Sequence, residues 1–501
     1  MAQAIDVAVP ASVAVERSGK VRELLDKVPT GALIGANFEP GGEGSFPVLD
    51  PADGSVLVDV ADVSDEQAAR TVAIAYEAQQ KWAETAPRVR AEVLRKAFEL
   101  MVERKDEIAL LMSLENGKTL TDAMGETLYA AEFFRWFSEE AVRITGEFRT
   151  APAGTNKIIT IKQPVGVTML ITPWNFPAAM ITRKVGPAIA AGCASIVKPA
   201  AETPLTALYL GQLLLEAGLP AGVVNVLTTH RPRQVTADIL ADPRVRKLSF
   251  TGSTEVGRVL LQTAANQVLK CSMELGGNGP FIVLDDADVD AAVAGAMIAK
   301  MRNGGQACTA ANRFFVQDSV HDEFVEKLAV AMGQLRPGHG SDSNTTLSPL
   351  INRAAVDRIQ EMVVEAEANG GHKVLGGTPS PGPGAFFPAT VVGDLPADSR
   401  LMVEEIFGPV APVVRVADEA EALRLANASE YGLVGYVFSG DLARAMRVAE
   451  KLEVGMVGVN RGIVSDAAAP FGGVKQSGLG REGGFDGIEE FLETKYIAAS
   501  W

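Results

Sequence analysis

Residues 165–177 read Val165-Gly-Val-Thr-Met-Leu-Ile-Thr-Pro173-Trp-Asn-Phe-Pro177, a β-type run (Val165–Thr172) that stops on two prolines bracketing an asparagine. A helical stretch, Ile181–Ala191, follows, then an apolar strand, Ala194–Lys198, and a helix, Leu205–Ala217. The alternation runs on through strand Val223–Leu227, helix Gln234–Ala241, strand Lys247–Thr251, helix Thr254–Ala265 and a closing strand, Leu269–Leu275. Strands that are apolar at nearly every position predict a parallel sheet covered by helices on both faces. This is an α/β architecture of the nucleotide-binding type, in which ligands sit beyond the carboxyl ends of the strands.

Upstream, residues 1–30 form an extension with one helix near Val21–Lys27, and 31–60 carry short β-like runs between glycines and prolines. Helical spacing covers 64–82 and 88–114, with Val93, Leu94, Ala97, Leu100 and Met101 on one face. Thr121–Gly146 is a third helical stretch, rich in aromatics, and Lys157–Gln163 alternates as a strand. Downstream, a second α/β series begins at Phe281–Leu284 and includes helix Val289–Met301, strand Arg313–Gln317, and helices Asp322–Met332 and Ile351–Asn369. A Gly/Pro-rich loop spans Gly376–Gly384, followed by strands Val410–Val416 and Val434–Ser439 and helix Ala443–Lys451. Tyr496–Ser500 is read as a strand that pairs with Ile158–Ile161 or with another subunit.

With 501 residues and 47% hydrophobic composition, the chain exceeds a single core. Its net charge of −16 argues against binding nucleic acid or an anionic membrane by bulk attraction. The first ten residues lack the basic region of a signal peptide, and no apolar run is long enough to span a bilayer. Three widely spaced cysteines suggest reduced thiols and a cytoplasmic location.

Cys308 stands apart from the other two cysteines. It follows the turn Asn303-Gly-Gly-Gln-Ala307, which can present a thiol to a substrate. Asn175, held between two prolines, can donate its amide N–H to an oxyanion, or simply form an Asx turn. Lys198 at a strand end can bind ribose hydroxyls or phosphate, or be a solvated lysine. Phe250-Thr-Gly-Ser253 lacks the usual GxGxxG pattern, but Gly252 permits close backbone approach and Ser253 can cap a helix and meet a phosphate. Glu274, before a double glycine, is a candidate general base for water or a surface turn acid. Glu405, in Glu405-Ile-Phe-Gly-Pro409, is open in the same way.

These motifs, together with Gly305-Gln-Ala-Cys308 and Pro470-Phe-Gly-Gly473, resemble the aldehyde dehydrogenase superfamily in kind and order over roughly residues 31–500. The resemblance implies a Rossmann-type cofactor domain (31–146 and 165–275), an α/β catalytic domain (276–484) and a small β oligomerisation arm (147–164 and 485–501). It implies that Cys308 attacks the aldehyde, that Asn175 and the Cys308 backbone N–H hold the oxyanion, and that Glu274 activates water to hydrolyse the thioester. Family members that pass the acyl group to coenzyme A lack this glutamate, so a free acid is the expected product. Lys198 and Glu405 would hold ribose hydroxyls, and Gly252 and Ser253 the pyrophosphate. Thr172, Pro173, Trp174, Asn175, Leu275 and Phe407 would line the rest of the cofactor cleft. No metal is implied.

Many NAD-preferring members carry an acid three residues after the lysine. Here that position is Ala201, so a 2′-phosphate meets no repulsion there; NADP is the expected cofactor, with NAD as the alternative. Arg183, Arg302 and Ser465 resemble the set with which succinate-semialdehyde dehydrogenases bind a substrate carboxylate. The expected partner is thus a small aldehyde with a terminal carboxylate, glutarate semialdehyde or a simple aliphatic aldehyde being the alternatives. Arg461 and the run Asp466-Ala-Ala-Ala469 depart from the usual subfamily pattern near the tunnel. Ala310 stands where some relatives place a second cysteine, which removes a local disulfide switch. A Cys–His hydrolase would need a histidine beside Cys308, and none of His230, His321, His339 or His372 lies in a site-like motif. A non-enzymatic scaffold on this fold would be expected to lose Cys308, Glu274 or Asn175. The arm strands imply a homodimer or homotetramer.

Overall fold

In a computed structural model that describes residues 19–379 and 381–501, the decisive run forms strand Val167–Ile171, buried at every position. Ala194–Lys198 is likewise buried throughout and pairs with it in parallel, Ile171 opposite Lys198. On the other side Phe250 pairs with Ile171, and Thr251 pairs with Glu274. This register brings Ile171, Lys198, Thr251 and Glu274 to one rim, the carboxyl edge where the sequence places its ligand-binding residues. The first sheet has eight strands, in the order Gly478–Leu479, Lys270–Glu274, Val245–Thr251, Val167–Ile171, Ala194–Lys198, Val224–Val226, Ala32–Ile34 and Asn37–Glu39.

Helices cover both faces of this sheet because their apolar stripes have nowhere else to be buried. Helix Leu120–Glu140 sinks Phe133, Phe134 and Phe137, all at 0% exposure, and packs on helix Ala179–Ala191. Each such ring contributes about 2–3 kcal/mol of burial. The second sheet has seven strands: His372–Leu375, Thr390–Gly393, Val410–Val416, Ala311–Gln317, Gly279–Val283, Val434–Phe438 and Met456–Val459. All its neighbours are parallel except the first pair. A third, antiparallel sheet orders Leu492–Ala499, Lys157–Pro164 and Glu147–Thr150.

Several expectations shift. The helical stretch 88–114 is two helices, Pro87–Glu103 and Lys105–Asn116, broken at Arg104, whose side chain turns to Glu216. The aromatic stretch ends its helix at Glu140 rather than Gly146, and a Cβ at Gly146 would lie 1.9 Å from the Thr160 carbonyl oxygen of the adjoining strand. Helix Arg353–Ala368 starts behind an Asn352 cap, two residues later than read from spacing. The C-terminal strand starts at Leu492, not Tyr496, and pairs along its whole length with Lys157–Pro164. Gly478–Leu479, within the stretch assigned to the second unit, returns to the first sheet and pairs antiparallel with Lys270–Glu274. Of the extension 1–30, residues 1–18 lie outside the described residues; helix Gly19–Lys27 covers the expected Val21–Lys27. Among the described residues no helix is long and apolar enough to cross a membrane.

Candidate active site

The turn after strand Val167–Ile171 is held from two sides. Asn175 is 3% exposed, and its backbone oxygen accepts from Lys118 Nζ at 2.8 Å and Asn303 Nδ2 at 2.9 Å. Its side-chain Nδ2 donates to the Gln306 carbonyl at 3.1 Å, which uses one of the two amide protons. The second proton remains for a group in the cleft that Asn175 lines together with Cys308.

Cys308 follows three consecutive left-handed residues, Asn303 (φ 52°), Gly304 (φ 61°) and Gly305 (φ 79°). Gly305 is required twice over, by its φ and because a Cβ there would lie 2.2 Å from the Gly408 oxygen. Gln306 ties the turn to its surroundings: its Oε1 accepts from Ile351 N at 2.9 Å. Tyr436 OH donates to the Thr309 carbonyl at 2.7 Å, fixing the far side. Cys308 is half-buried in the cleft. Burial pushes its thiol up to about 12; Arg183 and Arg302 oppose this, and Glu405 and Glu274 add to it. No histidine lines the cleft; His339 bonds to Asp50 at 2.8 Å and His321 to Asp322 at 3.0 Å.

Glu274 ends its strand 3% exposed, and its Oε2 has no hydrogen-bond partner. Room for it comes from Gly472, where a Cβ would stand 2.9 Å from Oε1. Burial, then the neighbouring Glu482, hold its carboxyl well above the usual range, against Lys184, Arg183 and Arg481. It is therefore a buried acid of raised basicity, not a solvated turn residue.

The cleft is also lined by Pro173, Trp174, Gly252, Ser253, Leu275, Arg358, Glu405 and Phe407. Trp174 and Phe407 face each other edge-on at 5.4 Å, the latter in a left-handed backbone (φ 54°). Ser253 caps helix Thr254–Ala265. A Cβ at Gly252 would lie 2.4 Å from the Phe250 ring, so the turn passes as bare backbone. Glu405 Oε1 accepts from Gly277 N at 3.1 Å, and burial raises its carboxyl to about 7. Thr251 Oγ1 and Thr172 Oγ1 are buried without partners at the strand ends. Glycine turns, a helix N-terminus, aromatic walls and orphaned hydroxyls fit a dinucleotide. Lys198 is 7% exposed, donates to the Pro199 carbonyl at 2.9 Å, and is lowered to about 8 by burial, against Glu202. Lys198, Ala201 and Thr172 lie on the strand-end rim and its following loop, outside the residues that line the cleft itself.

Arg302 reaches Ser465 Oγ at 3.5 Å and Thr309 Oγ1 at 3.4 Å, with its guanidinium 5.1 Å from the Phe176 ring centre. Arg183 is 1% exposed, donates to Tyr129 OH at 2.8 Å and lies 4.1 Å from the Phe471 ring centre. Its Nε stands 3.4 Å from Glu482 Oε2, but neither atom makes a hydrogen bond. Ser465 opens on a second cavity, bounded by Tyr129, Glu132, Arg135, Trp136, Glu139 and Asp466. Arg461 is exposed.

Several of these residues have no signal in the sequence. Lys118 and Glu126 form an ion pair at 0% side-chain exposure. Glu115 accepts from Leu205 N and Thr206 N at 2.8 and 2.9 Å, capping helix Pro204–Glu216 from another element. Arg358 holds the Glu405–Phe407 turn through the carbonyls of Glu405 (3.2 Å) and Ile406 (2.5 Å). Charged residues on helices read as solvated faces until the fold brings their partners to them.

Comparison with known proteins agrees with this geometry. Residues 38–497 match the aldehyde dehydrogenase family. The chain is 55% identical over 442 residues to a succinate-semialdehyde dehydrogenase of Paenarthrobacter nicotinovorans, covering 88% of this chain and 98% of that one. It is 48% identical over 450 residues to a glutarate-semialdehyde dehydrogenase of Pseudomonas aeruginosa, covering 90% and 93%. A crystal structure of an NADP-dependent enzyme of Escherichia coli superposes with a TM-score of 0.93 at 46% identity, covering 96% and 99%. The α/β fold with its cleft at the strand ends is thus that of an enzyme family, and the chain belongs to the aldehyde dehydrogenase family.

Proposed function

We propose that this chain oxidises succinate semialdehyde to succinate with NADP, through a thioester on Cys308. The observation that carries the substrate choice is Arg302: a cation six positions before the nucleophile, beside the Ser465 hydroxyl at 3.5 Å. Arg183, buried with an Nε that faces Glu482 at 3.4 Å without a hydrogen bond, adds a second guanidinium near the same thiol.

The chemistry follows from the side chains. Cys308 gives its proton to solvent as its sulfur adds to the carbonyl carbon, whose π pair moves onto oxygen. Asn175 Nδ2 and the Cys308 N–H donate to that oxyanion. A nicotinamide held in the cleft would supply the hydride acceptor for this carbon, which would stay on the Cys308 sulfur as a thioester. Glu274 then takes a proton from water as its oxygen adds to the thioester; the C–S bond breaks with its pair going to sulfur, which is reprotonated as Glu274 gives up the proton, and the acid leaves. NADP is favoured over NAD by Ala201, which puts no carboxylate beside a 2′-phosphate, and by Lys198, whose ammonium can pair with it. The Escherichia coli relative, an NADP-dependent enzyme, supports the same choice.

In this reading residues 31–146 and 165–275 hold the cofactor, 276–484 the nucleophile, and 147–164 with 485–501 form an arm that joins subunits into a dimer or tetramer. The exposed Phe148, Tyr496 and Trp501 on the arm support its use as a contact. A second reading, glutarate semialdehyde, draws on the Pseudomonas aeruginosa relative and on the cavity behind Ser465, which leaves space for a longer chain. The test is a kinetic panel of aldehydes of increasing length, with and without an ω-carboxylate, on the wild type and Arg302→Ala. The substitution is expected to raise KM for succinate semialdehyde by roughly tenfold or more, the scale of a lost charged hydrogen bond, and to leave butanal unchanged. Equal effects on both aldehydes would refute the carboxylate clamp, and a preference for the five-carbon semialdehyde would select the second reading.

A further inference from the structure

The loop that carries Asn175 lies between Pro173 and Pro177, and Pro177 has no N–H to tie it to its surroundings. Side chains between Asn116 and Glu126 supply much of its anchorage, Asn116 Nδ2 donating to the Trp174 carbonyl at 3.0 Å. Gly117 (φ 87°) closes helix Lys105–Asn116 and turns Lys118 inward. The Lys118 side chain is fully buried, donates to the Asn175 carbonyl at 2.8 Å, lies 4.3 Å from the Phe176 ring centre and pairs with Glu126. The other oxygen of Glu126 accepts from Ala178 N (2.9 Å) and Ala179 N (3.1 Å), the first amides of the helix that follows the loop. One ion pair therefore grips the loop at Asn175 and again at Ala178–Ala179. Asn303, in the cysteine turn, supplies the opposing donor to the same Asn175 carbonyl.

A buried ion pair roughly offsets its own desolvation and is a weak source of stability. What this pair supplies is location, at the one residue whose amide must meet a developing negative charge. We propose that Lys118 and Glu126 are positioning residues for the oxyanion donor: they act on the chemical step through Asn175, without touching substrate or cofactor. The inference rests on the reading of Asn175 as that donor.

The test is a mutant cycle read by single-turnover hydride transfer, together with cofactor affinity and KM for the aldehyde. Lys118→Met alone strands a buried carboxylate and invites unfolding. The paired substitution Lys118→Met with Glu126→Gln removes both charges and keeps an acceptor for the helix amides. Asn175→Ala is expected to slow the burst by about 10²- to 10³-fold, as for a lost oxyanion donor. The paired variant is expected to lower kcat and kcat/KM alike by roughly 10²-fold, the cost of a small misplacement, with KM and cofactor affinity unchanged. Adding Asn175→Ala to it should then cost no more than Asn175→Ala alone. If the paired variant keeps the wild-type burst while Asn175→Ala is slow, the positioning role is overturned and the reading of Asn175 stands. Losses that multiply independently overturn it too, and a fast Asn175→Ala enzyme removes both.

Discussion

Cys308 sits among charges of both signs. Burial pushes its thiol up to about 12, Glu405 and Glu274 add to that, and Arg183 and Arg302 pull the other way. These influences predict that Cys308 stays a thiol across neutral pH when no ligand is bound. Since only the thiolate reacts, its alkylation by iodoacetamide should still climb about tenfold per pH unit beyond pH 8.5, the midpoint of an unperturbed cysteine. A plateau below that pH, read as loss of the free Cys308 peptide by mass spectrometry, would show a thiolate already formed. The residue types at this site were legible in the sequence because each motif is local. Their electrostatics were not: Glu482, 208 residues on from Glu274, raises that carboxyl, and no spacing rule connects them. Arg183 was legible as a cation on a helix, but its burial against Tyr129 and Phe471 was not.

Among the elements, the turn from Asn303 to Gly305 decides where the thiol points. Gly305→Ala would place a methyl 2.2 Å from the Gly408 oxygen at φ 79°, a clash with backbone that no rotamer can relieve. It should destabilise the protein by about 1–3 kcal/mol and, by moving Cys308, lower kcat by roughly 10²-fold. Thermal unfolding and steady-state kinetics check the two effects; wild-type kcat would mean that the turn does not set the nucleophile. The sequence predicts a glycine-rich turn here, but not that Asn303 already adopts the left-handed conformation. Element boundaries were missed for similar reasons. Arg104 interrupts two helices without a glycine or proline, and the short return strand Gly478–Leu479 is defined only by its partner, Lys270–Glu274.

Across the whole molecule, the parallel sheet was legible because apolar continuity and strand–helix alternation are properties of contiguous residues. Buried charged groups find partners far away in the chain, as Glu115 does in the Thr206 N–H and Lys184 in Glu482, and these contacts emerge only once the sheets are assembled. The net charge of −16 is no obstacle to the anionic substrate proposed here, since Arg183 and Arg302 act on the thiol locally. In the proposed function, rim, cysteine turn and buried acid serve one chemical sequence, in which carbon is held on Cys308 until Glu274 admits water. The decisive measurement is a rapid-quench experiment on Glu274→Gln with succinate semialdehyde and NADP. It should give a single burst of reduced cofactor, close to one equivalent per site, and a succinyl adduct on the Cys308 peptide by mass spectrometry. Steady turnover in that variant, or a burst that leaves Cys308 unmodified, would contradict the thioester route.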